Sequence, residues 1–252
     1  LADYSRTDAL KYRDYLIAKG MAGSSVSRVI SSIRAVMNFA ISEYALDLKN
    51  PFVGMYHDRL AGVSKRLPIP IEDIRKVQQQ CLSLDDDLRW LVALVSDTGM
   101  RLAEVSGLLK TDIILDEDIP FIRVQPHSWR KLKTAGSERD VPLVGVSLWA
   151  AQRLLDAYPD SGYAFPRYNK TTITNANSAS AALNKWLHPY VPNGCTMHSF
   201  RHSMRDRLRA VECPADVVDQ IGGWTTGGVG QGYGSGYSLE VCFRWMKKME
   251  EK

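Results

Sequence analysis

The stretch MHSFRHSMRDRLRAVECPADVVDQIGGWTTGGVGQGYGSGY, residues 197–237, carries the densest chemistry in the chain. His198 and Arg201 lie three apart on a segment whose apolar residues Phe200, Met204 and Leu208 recur at helical spacing. Both therefore project from one helix face as a compact cationic pair. Pro214 suits a first helical turn, and the apolar positions Val217, Val218 and Ile221 run into Gly222-Gly223, a helix stop. Trp224 then falls at a helix end or in the loop beyond it. Gly227, Gly228, Gly230, Gly232, Gly234 and Gly236 surround Tyr233. Each glycine adds ordering cost without side-chain contacts, so a tyrosine set among them is expected to serve a purpose that needs mobility rather than core packing.

Upstream, Asp97-Thr98-Gly99-Met100-Arg101-Leu102-Ala103-Glu104-Val105 reads as a turn entering a short helix that ends at Gly107-Leu108. Taken alone, Arg101 and Glu104 are an ordinary surface pair worth a few tenths of a kcal/mol, ~0.3. Helices are expected at 71–81, 88–96, 146–157 and 178–187, the last opened by Ser178 as a cap. Residues 121–124 and 140–143 read as short strands, joined by the basic connector Trp129-Arg130-Lys131-Leu132-Lys133-Thr134. After Tyr237, Ser238 is placed to cap a final helix whose apolar stripe is Val241, Trp245 and Met249.

The first third of the chain is helical by pattern. One helix runs from about residue 5 to 19, and a second starts at the cap-like Ser24-Ser25 and repeats Val26, Ile30, Ile33, Met37 and Ala40 along one face. Arg28 and Arg34 occupy its other face. Asn50-Pro51-Phe52 ends the segment, and the basic, proline-containing run from Ser64 to Pro70 reads as a linker, which puts a domain boundary at residue 66. The expected fold class is mainly α with a small antiparallel β-sheet, an α+β chain in two domains, 1–66 and 67–252.

Composition sets the outer bounds. The chain has 252 residues, 45% hydrophobic and 24% charged, with a net charge of +4. A soluble, mildly basic protein is expected, compatible with a nucleic-acid partner. Cys81, Cys195, Cys213 and Cys242 show no paired short spacing, so neither a zinc site nor a disulfide framework is expected. His57 and His127 have no partners at metal-ligand spacing. No apolar run approaches a membrane span and no signal peptide opens the sequence, so a cytoplasmic protein is expected. The sequence starts at Leu1 rather than methionine, and a longer parent protein is the expectation.

These motifs, in this order, resemble those of tyrosine recombinases of the phage-integrase family. The resemblance rests on Thr98-Gly99-x-Arg101-x-x-Glu104, on Lys133-Thr134 followed by Ser137-x-Arg139-x-Val141-Pro142-Leu143, on His198-x-x-Arg201, on Trp224 after glycine, and on Tyr233 nine residues later. It implies that Arg101 and Arg201 bind the scissile phosphate and that Glu104 braces the site. It further implies that His198 orients the phosphate or assists proton removal, Trp224 donates its indole N–H, Tyr233 attacks to form a 3′-phosphotyrosine, and Lys133 protonates the leaving 5′ oxygen. Lys131 is the alternative acid and otherwise a DNA contact.

Residues 1–66 resemble the later helices of the family's core-binding domain, with the earlier helix and any arm-binding domain outside this sequence. Lys19, Arg28, Arg34, Lys65 and Arg66 are the implied phosphate contacts. The implied partner is double-stranded DNA bearing attachment sites, bound as a homotetramer, with a monomer when free and DNA-bending accessory proteins as further partners. A bacterial or phage-encoded source is implied, and integration or excision of a mobile element. Because the covalent intermediate keeps the phosphodiester energy, no metal or other cofactor is implied. A topoisomerase of the same chemistry and a DNA-binding relative that no longer cuts stand as the alternatives.

Overall fold

Helix α1, Arg6–Ala18, starts where Ser5 and Asp8 satisfy each other's backbone. Ser5 Oγ accepts from Asp8 N at 3.2 Å and the Asp8 carboxylate accepts from Ser5 N at 3.0 Å. Helix α2, Gly23–Glu43, begins one residue before the expected serines and has no side-chain cap. The reason is a close chain crossing. Gly23 N–H donates to Ala61 O at 2.8 Å, and a Cβ at Gly23 would sit 1.9 Å from Asp58 O. Ser24 and Ser25 thus lie inside the first turn. Ala9 and Met37 meet Phe52, while Leu16, Val26 and Ile30 form a second small apolar cluster.

The computed structural model describes residues 3–63, 66–170, 172–224 and 236–252. It divides into two units, Leu1–Lys65 and Arg66–Lys252, so that Arg66 belongs with the second.

The second unit is built around α4, Asp87–Thr98. Asp86 caps its start by accepting from Arg89 N at 3.0 Å, and Gly99 ends it in the left-handed region at φ 57°. Asp97 and Thr98, expected in a turn, form the last turn of this helix. Every residue from Leu91 to Thr98 is buried. Around it pack α3 (Ile71–Leu84), α5 (Leu102–Ser106), α6 (Gly145–Asp156) and α8 (Ser199–Ala210).

Asp97 ties three of these together. Its Oδ1 accepts from Gln78 Nε2 at 2.8 Å and Arg207 Nη1 at 3.2 Å, and its Oδ2 accepts from Val146 N at 3.1 Å. Burial pushes its carboxyl pKa up, and Arg207 with the other donors opposes the rise.

Strands β1 (Ile113–Ile114), β2 (Phe121–Val124) and β3 (Arg139–Pro142) make an antiparallel sheet in that order, with Ile122 opposite both Ile113 and Val141. A separate hairpin pairs β4, Asn169–Lys170, with β5, Ile173–Thr174. Helix α7, Ala176–Leu187, starts before Ser178 because Asn175 Oδ1 accepts from Ser178 N at 3.1 Å, making asparagine the cap. Helix α9, Ala215–Gly222, stops at Gly223 with φ 60°.

The last helix, α10 (Leu239–Glu251), packs on β3, α8 and α9 of its own chain. Contact on several sides shifts its buried stripe to Cys242, Met246 and Met249, with Val241 and Trp245 half-buried at the margin. All four cysteines are buried and free. Burial pushes the Cys81 thiol up to about 12 and those of Cys213 and Cys242 to about 11, so these three carry no thiolate near neutral pH. No helix among the described residues is long and apolar enough to cross a membrane.

Candidate active site

Two segments far apart in sequence meet at one carboxylate. Glu104, in the first turn of α5, is buried and accepts from Arg101 Nη1 at 2.6 Å, from Arg101 N at 3.0 Å and from Arg139 Nη2 at 3.0 Å. Burial alone would raise its pKa. The Arg139 charge, with the hydrogen bonds from Arg139 and Arg101, outweighs that and holds it low. Arg139, buried on β3, also donates to Ile221 O at 2.8 Å and Ser137 O at 2.7 Å. Arg101 reaches Ser137 Oγ at 3.1 Å and Gly223 O at 3.2 Å.

Arg201 comes in from α8. Its Nη1 donates to Gly99 O at 2.8 Å, its Nη2 donates to Gly222 O, and its guanidinium lies 4.3 Å from the Trp224 ring centroid. Burial, followed by the charges of Arg101 and Arg139, pushes its pKa down to about 9. Arg205, one turn along α8, covers the same indole at 4.9 Å and pairs with Asp219 at 3.0 Å. Trp224 is therefore held by two guanidiniums, and its backbone N donates to Asp219 O at 2.9 Å. Gly222 is required beneath it, since a Cβ there would come within 1.8 Å of the ring.

His198 caps the start of α8, exposed, with His202 edge-on at 5.4 Å. Partial burial, then the charges of Arg66, His202, Arg201 and Arg101, depress its pKa to about 4. The free protein thus holds a neutral imidazole, able to accept a proton. The same depression acts on stability. An unfolded histidine titrates near 6.5 and binds a proton that the folded site refuses. Stability present above pH 6.5 is lost as pH falls toward 4. Urea unfolding at pH 7 and pH 5 should show this loss in the native chain and a smaller one in His198→Gln; equal losses would place the effect elsewhere.

The structure gathers Arg101, Glu104, His198, Arg201 and Trp224 and adds Arg139, Arg205 and Ser137. Lys131 and Lys133 are exposed on the loop between β2 and β3, with no hydrogen bond or ion pair among the described residues. Tyr233 and Lys65 lie outside the described residues. In the first unit Lys19, Arg28 and Arg34 are exposed. Arg34 lines a cavity of about 410 Å³ with Ser24, Ser27, Ser31, His57 and Arg59.

Arg139 entered the sequence reading only as part of the pattern that selected Lys133. Arg205 had one available signal, its i+4 spacing from Arg201. The chemistry of the cluster follows from its charge: Arg101, Arg139, Arg201 and Arg205 share the carboxylates of Glu104 and Asp219. Guanidiniums so crowded favour an incoming anion with several oxygens.

The sequence profile described as the phage integrase family matches residues 71–234. The tyrosine recombinase XerD of Halalkalibacterium halodurans is 29% identical over 156 residues, 60% of this chain and 48% of that protein. The chain thus spans about half the length of the curated relative it matches. Among solved structures, the Tn1549 transposon integrase in complex with circular intermediate DNA superposes with a TM-score of 0.64 at 17% identity, over 97% of this chain and 85% of that one. A lambda integrase dimer bound to a COC′ core site gives 0.65 at 13% identity, over 90% and 63%. These identities show a shared fold. The profile match takes in well over half of the sequence and runs from before Arg101 to past Tyr233, and on that ground the chain belongs to the phage integrase family.

Proposed function

We propose that this chain cuts and rejoins DNA strands by transesterification, as a site-specific tyrosine recombinase. The observation that carries the proposal is the arginine cluster around Glu104, in which Arg101 and Arg139 hold the carboxylate and Arg201 stands close enough to feel their charge. Arg201, almost fully buried, commits two of its five N–H donors to Gly99 O and Gly222 O, and three are not taken up by hydrogen bonds among the described residues. Arg101 likewise keeps donors beyond those taken by Glu104, Ser137 and Gly223. Such fixed donors stabilise charge on non-bridging oxygens without reorganising at the moment of reaction.

In this reading Tyr233 attacks phosphorus. A free phenol has a pKa of ~10, so it needs the field of the arginine cluster and a proton acceptor. His198, neutral in the free protein, is that acceptor. An arriving phosphate offsets the surrounding cations and raises the imidazole's proton affinity when it is needed. Trp224 supplies the indole N–H, and Lys133, with Lys131 as the alternative, gives a proton to the departing 5′ oxygen.

The first unit, 1–65, grips the duplex through Lys19, Arg28, Arg34 and Lys65, with Arg66 at the junction. Tn1549 integrase is seen with circular intermediate DNA and lambda integrase as a dimer on a core site and a tetramer on a Holliday junction. By analogy this chain pairs attachment sites as a tetramer, in the cytoplasm, for a phage or another mobile element.

A nicked suicide duplex spanning the junctions of the encoding element tests the proposal. The expected result is a DNA-linked protein band on a denaturing gel. Shifted DNA in a native gel with no covalent band would instead make the chain a binding protein. Equal adduct on unrelated duplexes, with relaxation of supercoils, would make it a topoisomerase.

A further inference from the structure

The loop that bears Lys131 and Lys133 is rooted at both ends. At its far end the buried Ser137 is 2.9 Å from Thr134 Oγ1, and its N donates to Thr134 O at 3.0 Å. Ser137 is also the residue that Arg101 and Arg139 hold. At the near end stands Trp129, which no motif claims. Its Nε1 donates to Gly107 O at 3.2 Å and its carbonyl accepts from Thr174 N at 3.1 Å. The indole stacks on His127, centroids 4.6 Å apart and planes within 5°, and meets Tyr163 edge-on at 5.2 Å.

Behind Trp129 the support continues. His127 Nε2 lies 2.8 Å from Asp112 Oδ2, and Asp112 is fully buried. That carboxylate also accepts from Gln125 Nε2 at 2.8 Å and Leu109 N at 2.9 Å. His127 and Arg130 exchange backbone hydrogen bonds of 3.0 and 3.1 Å, closing the turn that carries Trp129. Beyond Arg130 the character changes. Leu132 packs inward against the main core, and Lys131 and Lys133 on either side are exposed.

An exposed loop has no need of an indole, an imidazole and a buried carboxylate linked in series at its base. A lysine on a long flexible stem does need a fixed origin, because the reach of its ammonium follows from where its Cα stands. We infer that Trp129, braced by His127 and Asp112, is a positioning residue that aims the lysine loop at the leaving 5′ oxygen. The inference rests on the proposed lysine acid. In that step the tyrosyl oxygen–phosphorus bond forms while the P–O5′ bond breaks. The electron pair goes to O5′, which takes a proton from the ammonium and leaves a neutral amine. Trp129 touches none of these atoms.

A leaving group that needs no proton separates this role from simple support of the fold. At the cleavage position mapped by adduct trapping, the bridging 5′ oxygen is replaced by sulfur. A thiol has a pKa of ~8.5, so the thiolate departs unassisted. Rates of adduct formation are compared for the native chain, Trp129→Ala, Trp129→Phe, Lys131→Ala and Lys133→Ala on both substrates. Trp129→Ala is expected to be about 100-fold slow on oxygen, the scale of a small misplacement of a catalytic group, and close to native on sulfur. Trp129→Phe keeps the stack, loses only the bond to Gly107, and should show a smaller loss that sulfur also restores.

If Trp129→Ala stays equally slow on sulfur while a lysine variant recovers, Trp129 supports the fold only and the inference fails. Recovery of neither lysine variant would remove the lysine acid itself, and the inference with it. Should Trp129→Ala lose its folded circular dichroism spectrum, Trp129→Phe decides: a sulfur-restored loss supports the role, and full activity on oxygen overturns it.

Discussion

Tyr233→Phe protein should form no covalent adduct with the nicked duplex, while Tyr237→Phe protein should form it at nearly the native rate. On the proposed mechanism the substitution removes the one atom that bonds to phosphorus and leaves no residual route to the adduct, so the expected effect is total. Native-gel binding should persist, because the phenol hydroxyl supplies little of the affinity carried by phosphate contacts. The case for Tyr233 combines its nine-residue spacing from Trp224 in the sequence with what holds the other tyrosine of that segment, Tyr237. Gln220 on α9 clasps Tyr237 on both backbone groups, accepting from its N at 2.7 Å and donating to its O at 2.7 Å. A Cβ at the preceding Gly236, whose φ is 76°, would come within 2.8 Å of Gln220 Oε1. Tyr237 thus stands at a fastened point of the chain. An adduct that survives in Tyr233→Phe and vanishes in Tyr237→Phe would reverse the assignment.

The second large effect is expected at Glu104. Glu104→Ala leaves Arg139, whose side chain is 4% exposed, and Arg101 without their shared carboxylate. Removing one partner of a buried ion pair typically costs about 3–5 kcal/mol, because the surviving charge stays desolvated and unpaired. Here two guanidiniums are stranded, and their mutual repulsion is released as well. Urea unfolding at pH 7 should therefore show a loss at or above that range. Glu104→Gln, which keeps the shape and one acceptor oxygen, should retain part of the stability. Adduct formation should fall in both variants under conditions where they remain folded, since Arg101 loses the ion pair with Glu104 that fixes its guanidinium. A loss of less than about 1 kcal/mol in Glu104→Ala, the size of a surface pair, would mean that the carboxylate does not organise the cluster.

How far the sequence went depends on the range of the interaction. The helices around Ile30, Met204 and Ile221 were legible because one-sided burial leaves a 3.6-residue mark. The candidate residues Arg101, Glu104, His198 and Arg201 were legible through their resemblance to family motifs that are short and local, since Arg101 and Glu104 alone read as an ordinary surface pair. Arg139 was not placed against Glu104, 35 positions away, since a contact across that separation leaves no periodic trace. Strands of two residues, such as β1, β4 and β5, are too short to alternate. The starts of α2 and α7 were misplaced for a related reason. Several residues at each junction have capping chemistry, and a chain crossing at Gly23 and the Asn175 side chain decided between them. The expected stripe of α10, Val241, Trp245 and Met249, differs from the buried one because the helix meets β3, α8 and α9 at once.

The burial of α4 on all sides bears on time as well as on structure. An amide exchanges its hydrogen only when its segment opens, and a helix enclosed by α3, α5, α6 and α8 has no route to open alone. The amides of Leu91–Thr98 should be the last in the chain to take up deuterium, at the rate of global unfolding. Gly99 O, to which Arg201 is bonded, lies directly beyond that segment, and Arg101 follows two residues later. Arg101, and Arg201 through its bond to Gly99 O, are accordingly mounted beside the slowest-exchanging part of the protein. Their arrangement is therefore set in every folded molecule and does not wait for a ligand.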